Sequence, residues 1–154
     1  MHPVQVKVVV PVFQKTNGTT FLHITVTKEE QKKGGSFMVY PQTKQHKWGT
    51  AKIIENNSLY CGKLLRFTPG HRTSLQYHKN KDETLYVLSG HVTVEYGKEG
   101  DVTVETMNPD DVIRFTPGLI HRISSETGAV LIEVSTHHED SDTYQLKSGG
   151  KIPE

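Results

Sequence analysis

Gly70-His-Arg-Thr-Ser-Leu-Gln-Tyr-His-Lys-Asn-Lys-Asp-Glu-Thr-Leu-Tyr-Val-Leu-Ser-Gly90 brings Gln76, His78 and Glu83 close together in the chain. Alternate residues of a strand share a face, so Gln76 and His78 can both point inward from one strand. A short turn over 79–82 then returns the chain, and Glu83 points inward from the next strand. Three donor-type side chains converge from one hairpin, and a fourth, His121, follows Pro117-Gly118-Leu119-Ile120. The pattern is that of a metal site on a β-barrel.

Outward from that hairpin the chain reads as all-β. Short apolar runs recur with turn punctuation between them: 51–54, 60–67, 73–78, 84–88, 92–96, 102–106, 112–115, 120–123 and 130–134. Such regular short strands predict a sandwich or barrel. Before them, 4–13 and 19–27 are rich in β-branched residues and flank Asn17-Gly18, a hairpin turn signal. Thr27-Lys-Glu-Glu30 has capping-box spacing and Gly34-Gly35 follows, which predicts one or two turns of helix. The last fifteen residues are polar and are expected to pack briefly and then end loosely.

The chain has 154 residues, enough for one compact domain that buries roughly 70% of its unfolded surface. Eighteen Lys+Arg stand against seventeen Asp+Glu, a net charge of +1, and the basic residues form no continuous stripe. This excludes a nucleic-acid surface and points to a small-molecule partner. The one cysteine, Cys61, cannot form an internal disulfide, and the first residues carry no apolar signal segment, so a cytoplasmic location is expected. No apolar run approaches the ~20 residues of a membrane helix, so no membrane partner is expected.

Gly70, Gln76-Tyr-His78, Glu83 and Gly90 reproduce the spacing of the first cupin motif, with glutamine where its first histidine usually stands. Thr116-Pro117-Gly118-Leu119-Ile120-His121 is similar to the second motif, with Asp110 at its leading glycine and Ser125 at its trailing asparagine. Within cupins, Trp48-Gly49, Lys63, Ser74-Leu75-Gln76, His121-Arg122 and Ile132-Glu133-Val134 resemble the cupin part of type II mannose-6-phosphate isomerases. The resemblance covers about residues 46–145. It implies a cupin double-stranded β-helix (a jelly-roll barrel) that binds one divalent metal through Gln76, His78, Glu83 and His121. It also implies a sugar-phosphate isomerase interconverting an aldose and a ketose. Residues 1–45 would then be an N-terminal hairpin extension, 46–145 the barrel and 146–154 a polar tail, together a stand-alone module. The family typically has arginine at Lys81 and Glu-His-Trp where Glu83-Thr84-Leu85 stands, so the substrate is not fixed by the likeness.

Two imidazoles, one carboxylate and one amide oxygen make a mixed N/O shell for Zn²⁺, Mn²⁺, Ni²⁺ or Fe²⁺. A weak amide ligand leaves the ion more electrophilic, which suits polarising a sugar carbonyl. Glu133, Lys63 and Lys81 are candidate catalytic groups by type, and Arg122 or Arg72 could clamp a phosphate with a planar fork. Glu133 lies inside an apolar run, where an unpaired carboxylate would be costly, so a buried partner is expected. The plainer alternatives are a polar cross-strand pair for His78 and Glu83, an edge lysine for Lys63, solvated charges for Arg72, Lys79 and Lys81, and an acidic partner for Arg122. Trp48 reads as packing, and His2, His23, His46, His71, His91, His137 and His138 as surface residues. The alternative function is a metal-containing carbohydrate-binding or regulatory cupin without turnover; an Fe²⁺ dioxygenase is disfavoured by Gln76. The apolar N-terminal hairpin needs cover, so a homodimer is expected.

Overall fold

In the strand Cys61–Phe67, Cys61, Lys63, Leu65 and Phe67 are buried while the residues between them are less so. That period of two is repeated in Glu83–Gly90 and Ala129–Ser135, and it curls the sheets around one interior. The computed structural model describes residues 12–16, 19–23, 38–98 and 100–153. It is a jelly-roll β-barrel built from antiparallel sheets, with no α-helix among the described residues. No helix there is long and apolar enough to cross a membrane.

Two compact units divide the chain at Phe37/Met38. The first contains an antiparallel hairpin, β1 (Val12–Thr16) and β2 (Thr19–His23), with Thr16 opposite Thr19. The pairing of Thr16 with Thr19 is the register that the turn signal at Asn17-Gly18 predicts. The short helix expected after Thr27 lies outside the described residues.

The second unit holds the barrel. Its six-stranded sheet runs β11 (Val112–Phe115), β8 (Glu83–Gly90), β13 (Ala129–Ser135), β5 (Cys61–Phe67), β4 (Gly49–Asn56) and β3 (Gln42–His46). The facing sheet contains β10 (Asp101–Met107), β9 (Val92–Lys98), β12 (Ile120–Ser125), β6 (His71–Arg72) and β15 (Gly150–Lys151). It also contains β7 (Leu75–His78), which pairs with β12 and with β14 (Thr143–Lys147).

Three of these strands, β3, β14 and β15, fall outside the apolar runs read from the sequence. Their residues are mostly polar and exposed, so they carry no hydrophobic alternation. Backbone pairing holds them instead: Gly150 lies opposite Arg72, and Ile152 N–H donates to Gly70 O at 2.8 Å. The sheets therefore extend beyond both expected barrel limits, 46 and 145, and residues 150–151 are a strand where a loose tail was expected. Gly149 permits that docking, since a Cβ there would lie 2.6 Å from Ser74 N.

Stacked cross-strand rows divide the interior. Leu131 lies opposite Leu65 and Val87, in a core with Phe67, Leu85, Val94, Phe115 and Ile123. Burial of each such side chain contributes about 1.5–3 kcal/mol. One row further along, Glu133 lies opposite Lys63, and beyond it Ser135 lies opposite Glu83 and Cys61. The apolar end thus closes the barrel beneath a charged one.

Candidate metal centre

The inner face of β7 and β12 carries the first donors. Gln76 is the cross-strand partner of His121, which brings these two side chains next to each other. His78 ends β7, the chain turns over 79–82, and Glu83 opens β8. His78, Glu83 and His121 are all buried, and one ligand atom from each lies within 4.8 Å of the others. Glu83 Oε1 is 3.0 Å from His121 Nε2 and 3.8 Å from His78 Nε2.

Both imidazoles are held by their other nitrogen. His78 Nδ1 is 3.0 Å from Asp142 O, and His121 Nδ1 is 3.0 Å from Leu119 O. A carbonyl can only accept, so each Nδ1 carries the hydrogen; His78 Nε2 therefore keeps its lone pair, and His121 Nε2, which donates to the Glu83 carboxylate here, would exchange that proton for a bound cation. His78 Nε2 is buried without a hydrogen-bond partner. A buried ring nitrogen left unpaired costs about 1–3 kcal/mol, which a bound cation would remove. The donor set therefore fits a divalent transition metal. Burial pushes the His78 pKa down, Glu83 opposes and Lys81 reinforces, which favours the neutral, ligating ring. Phe115 stacks on His121 with ring centroids 4.3 Å apart and fixes its plane.

Gln76 lines the same cavity, and its Oε1 accepts from Ser74 Oγ at 2.6 Å. An amide oxygen has two lone pairs, so one remains for a fourth ligand bond.

Behind the trio runs a chain of buried charges. Lys81 Nζ bonds Glu83 Oε2 and lies 2.5 Å from Glu133 Oε1, which also accepts from Lys63 Nζ at 3.0 Å. All four side chains are buried. Lys63 is thus no edge lysine and Lys81 no solvated loop charge, and Glu133 has the buried partners that its apolar setting requires. Burial alone would lower the Lys81 pKa, but Glu133 and Glu83 outweigh it and raise it, so the group is an ammonium. Burial would likewise raise Glu133, yet Lys81, with Lys63, holds it low as a carboxylate.

Arg122 and Arg72 do not join this group. His121 points inward, so its neighbour Arg122 belongs to the opposite face of β12. Neither arginine lines the cavity that contains the trio. Arg122 lies across from Glu95, with Nε and Nη2 buried and without a hydrogen-bond partner. A phosphate clamp made of these two residues would therefore lie off this cavity. Trp48 stacks on His46 at 4.9 Å and on Phe67 at 4.8 Å, a packing role as expected.

Two residues that the sequence reading passed over matter here. Asp142 is buried, and its carboxylate accepts the backbone N–H groups of Lys79, Asn80 and Lys81 at 3.0–3.3 Å. The turn between the ligands is thus wound on one carboxylate, while the carbonyl of the same residue holds His78. Burial would raise the Asp142 pKa, but the N–H donors of Asn80, Lys81 and Lys79 bring it down. The second residue, His138, is no surface histidine: its side chain lines the cavity and is only 13% exposed. The sequence signal for both is weak, because their partners lie some sixty to eighty residues away in the chain.

The cavity measures about 780 Å³. It is lined by the donor trio, Gln76, Lys63, Lys81 and Glu133, and it reaches the half-buried Lys44 and the exposed Asp140. It is large enough for a small metabolite and polar enough to hold many hydroxyls.

Comparison with known proteins agrees with this architecture. The family model of the Cupin domain matches residues 63–135. No curated protein compared with the chain matches it. Oxalate decarboxylase from Bacillus subtilis at pH 4.6 superposes with a TM-score of 0.62 and 24% identity, covering 69% of this chain and 30% of that one. A structure of the same enzyme from a study of its Mn(II) centres gives 0.61 and 23%, with 69% and 30% covered. The capsular polysaccharide assembling protein CapF from Staphylococcus aureus gives 0.62 and 18%, with 72% and 35% covered. At such identities the likeness is one of fold. The chain spans about a third of the length of these proteins.

Proposed function

From a cupin domain over residues 63–135, we propose that the chain is a metal-dependent enzyme that isomerises a small phosphorylated sugar, interconverting aldose and ketose. One observation carries this reading: the donor set His78, Glu83, His121 and Gln76 shares a single cavity with the buried chain Lys81–Glu133–Lys63. When bound, a divalent Zn, Mn, Ni or Fe ion would act there as a Lewis acid toward the oxygens of a hydroxy-carbonyl substrate.

The chain's own groups would do the rest. Lys81 and Lys63, ammonium groups fixed on Glu133, would stabilise negative charge growing on a substrate oxygen in a site of low dielectric. Glu133 would hold both lysines in place, and Glu83 would tie Lys81 to the ligand set. Lys44 and Lys47, which line the cavity, would meet the phosphate in place of the two arginines.

The test is direct. Metal-loaded protein is incubated with a panel of aldose and ketose phosphates, mannose 6-phosphate and fructose 6-phosphate included, and products are followed by NMR. Interconversion abolished by a chelator is expected. Fully metallated protein inactive on the whole panel would remove the isomerase. A second reading, a carbohydrate-binding or regulatory cupin without turnover, is favoured by one feature. Glu133 already takes two ammonium groups on Oε1, which weakens it as a base. Saturable sugar binding without product would select that reading.

A further inference from the structure

Isomerisation needs a base for a C–H proton, and the charged groups behind the ligands do not offer a free one: both lysines are bonded to Glu133, and Lys81 is an ammonium. A better group lies elsewhere on the cavity wall. His138 follows β13 and is fixed twice by one side chain. Its N–H donates to Asn56 Oδ1 at 2.9 Å, and Asn56 Nδ2 donates to its carbonyl at 2.9 Å. The ring is oriented in turn: His138 Nε2 lies 3.0 Å from Asp140 Oδ1, and Asp140 Oδ2 accepts from Lys44 Nζ at 2.7 Å.

A carboxylate accepts and does not donate, so Nε2 carries the hydrogen and Nδ1 keeps the lone pair. That Nδ1 is buried and has no hydrogen-bond partner. Burial, reinforced by Lys63 and Lys81, pushes the His138 pKa down and keeps the ring neutral near pH 7. The ring is fixed in orientation and backed by a carboxylate, and His138 lines the cavity that holds the metal ligands, which is the constellation of a general base.

We propose that His138, oriented by Asp140, is the base that carries a proton between the two adjacent carbons of the substrate. The inference rests on the isomerase reading above. Nδ1 takes the proton from the hydroxyl-bearing carbon, the C–H electron pair forms the carbon–carbon double bond, and the carbonyl π pair moves to oxygen. The proton then returns to the former carbonyl carbon, and the hydroxyl proton passes between the two oxygens. One carbon is oxidised and its neighbour reduced, so no co-reactant is needed.

The test compares wild type, His138→Gln and Asp140→Asn, each carrying its metal, by following deuterium uptake from D₂O into the sugar phosphates of the panel. His138→Gln is expected to keep its metal and its KM while exchange falls by about 10²–10⁴-fold. Asp140→Asn should fall less. Exchange in His138→Gln at the wild-type rate would overturn the assignment while leaving the isomerase intact. Wild type that exchanges nothing would overturn the isomerase reading and this role with it. Independently of substrate, ¹⁵N NMR of the zinc-loaded protein should find His138 as the neutral Nε2–H tautomer, a preference weakened in Asp140→Asn. An Nδ1–H tautomer or an imidazolium at pH 7 would remove the base.

Discussion

Glu133 is the residue on which the charged interior turns, because it stands buried between two lysines. Glu133→Gln leaves Lys63 without its counter-charge and Lys81 with Glu83 alone, and the expected cost is about 3–5 kcal/mol. Urea denaturation of the metal-stripped protein checks this, and a loss under 1 kcal/mol would contradict the pairing. Glu133→Met with Lys63→Met, which removes opposite charges together, should cost less than the single change. Much of this centre is legible in the sequence, since strand alternation across the 79–82 turn is enough to gather Gln76, His78 and Glu83. The same alternation, applied to His121, sends Arg122 away from the cavity; adjacency in sequence is a poor guide on a strand. His138 escapes sequence reading because the residue that fixes its backbone, Asn56, is distant in the chain, although Asp140, which orients its ring, is two residues away.

Among the elements, the turn between β7 and β8 sets the spacing of the ligands, and Asp142 organises it from the distant segment between β13 and β14. Asp142→Ala leaves three backbone N–H groups of the turn without their acceptor, and metal affinity should fall by about 10–100-fold as His78 loses its fixed position. Competition with a chelator measures it, and unchanged affinity would show that the turn holds itself. The folded pKa of Asp142 lies below its unfolded value, so its contribution to stability is complete above about pH 4 and is lost as pH falls through the folded pKa. Metal-stripped wild type should therefore lose more urea resistance between pH 7 and pH 3 than Asp142→Asn. Gly90, at φ 78°, is a second fixed point: a Cβ there would lie 2.3 Å from Gly128 O, so Gly90→Ala should destabilise by about 3 kcal/mol. The strands that carry this core are plain from their period of two. β3, β14 and β15 are not, since polar strands held by backbone pairing leave no hydrophobic pattern to read.

At the scale of the whole molecule, the barrel trades part of its core for a charged cavity, and a bound cation should restore some of the lost stability. At a hundredfold excess over Kd, a metal that binds only the folded state adds about 2.7 kcal/mol. A thermal midpoint higher by several degrees with Mn²⁺ or Zn²⁺ is expected for wild type and not for a variant without the ligands. The homodimer remains a proposal, based on the need of a two-stranded hairpin for cover; a monomer at micromolar concentration in light scattering would contradict it. Everything said of function depends on the cation. The decisive measurement is therefore elemental analysis of the purified protein beside the His78→Ala, His121→Ala double variant, each also after incubation with Zn²⁺, Mn²⁺, Ni²⁺ and Fe²⁺. Close to one equivalent of a transition metal in wild type, lost in the variant, is the predicted result; wild type that holds none of the four would contradict it.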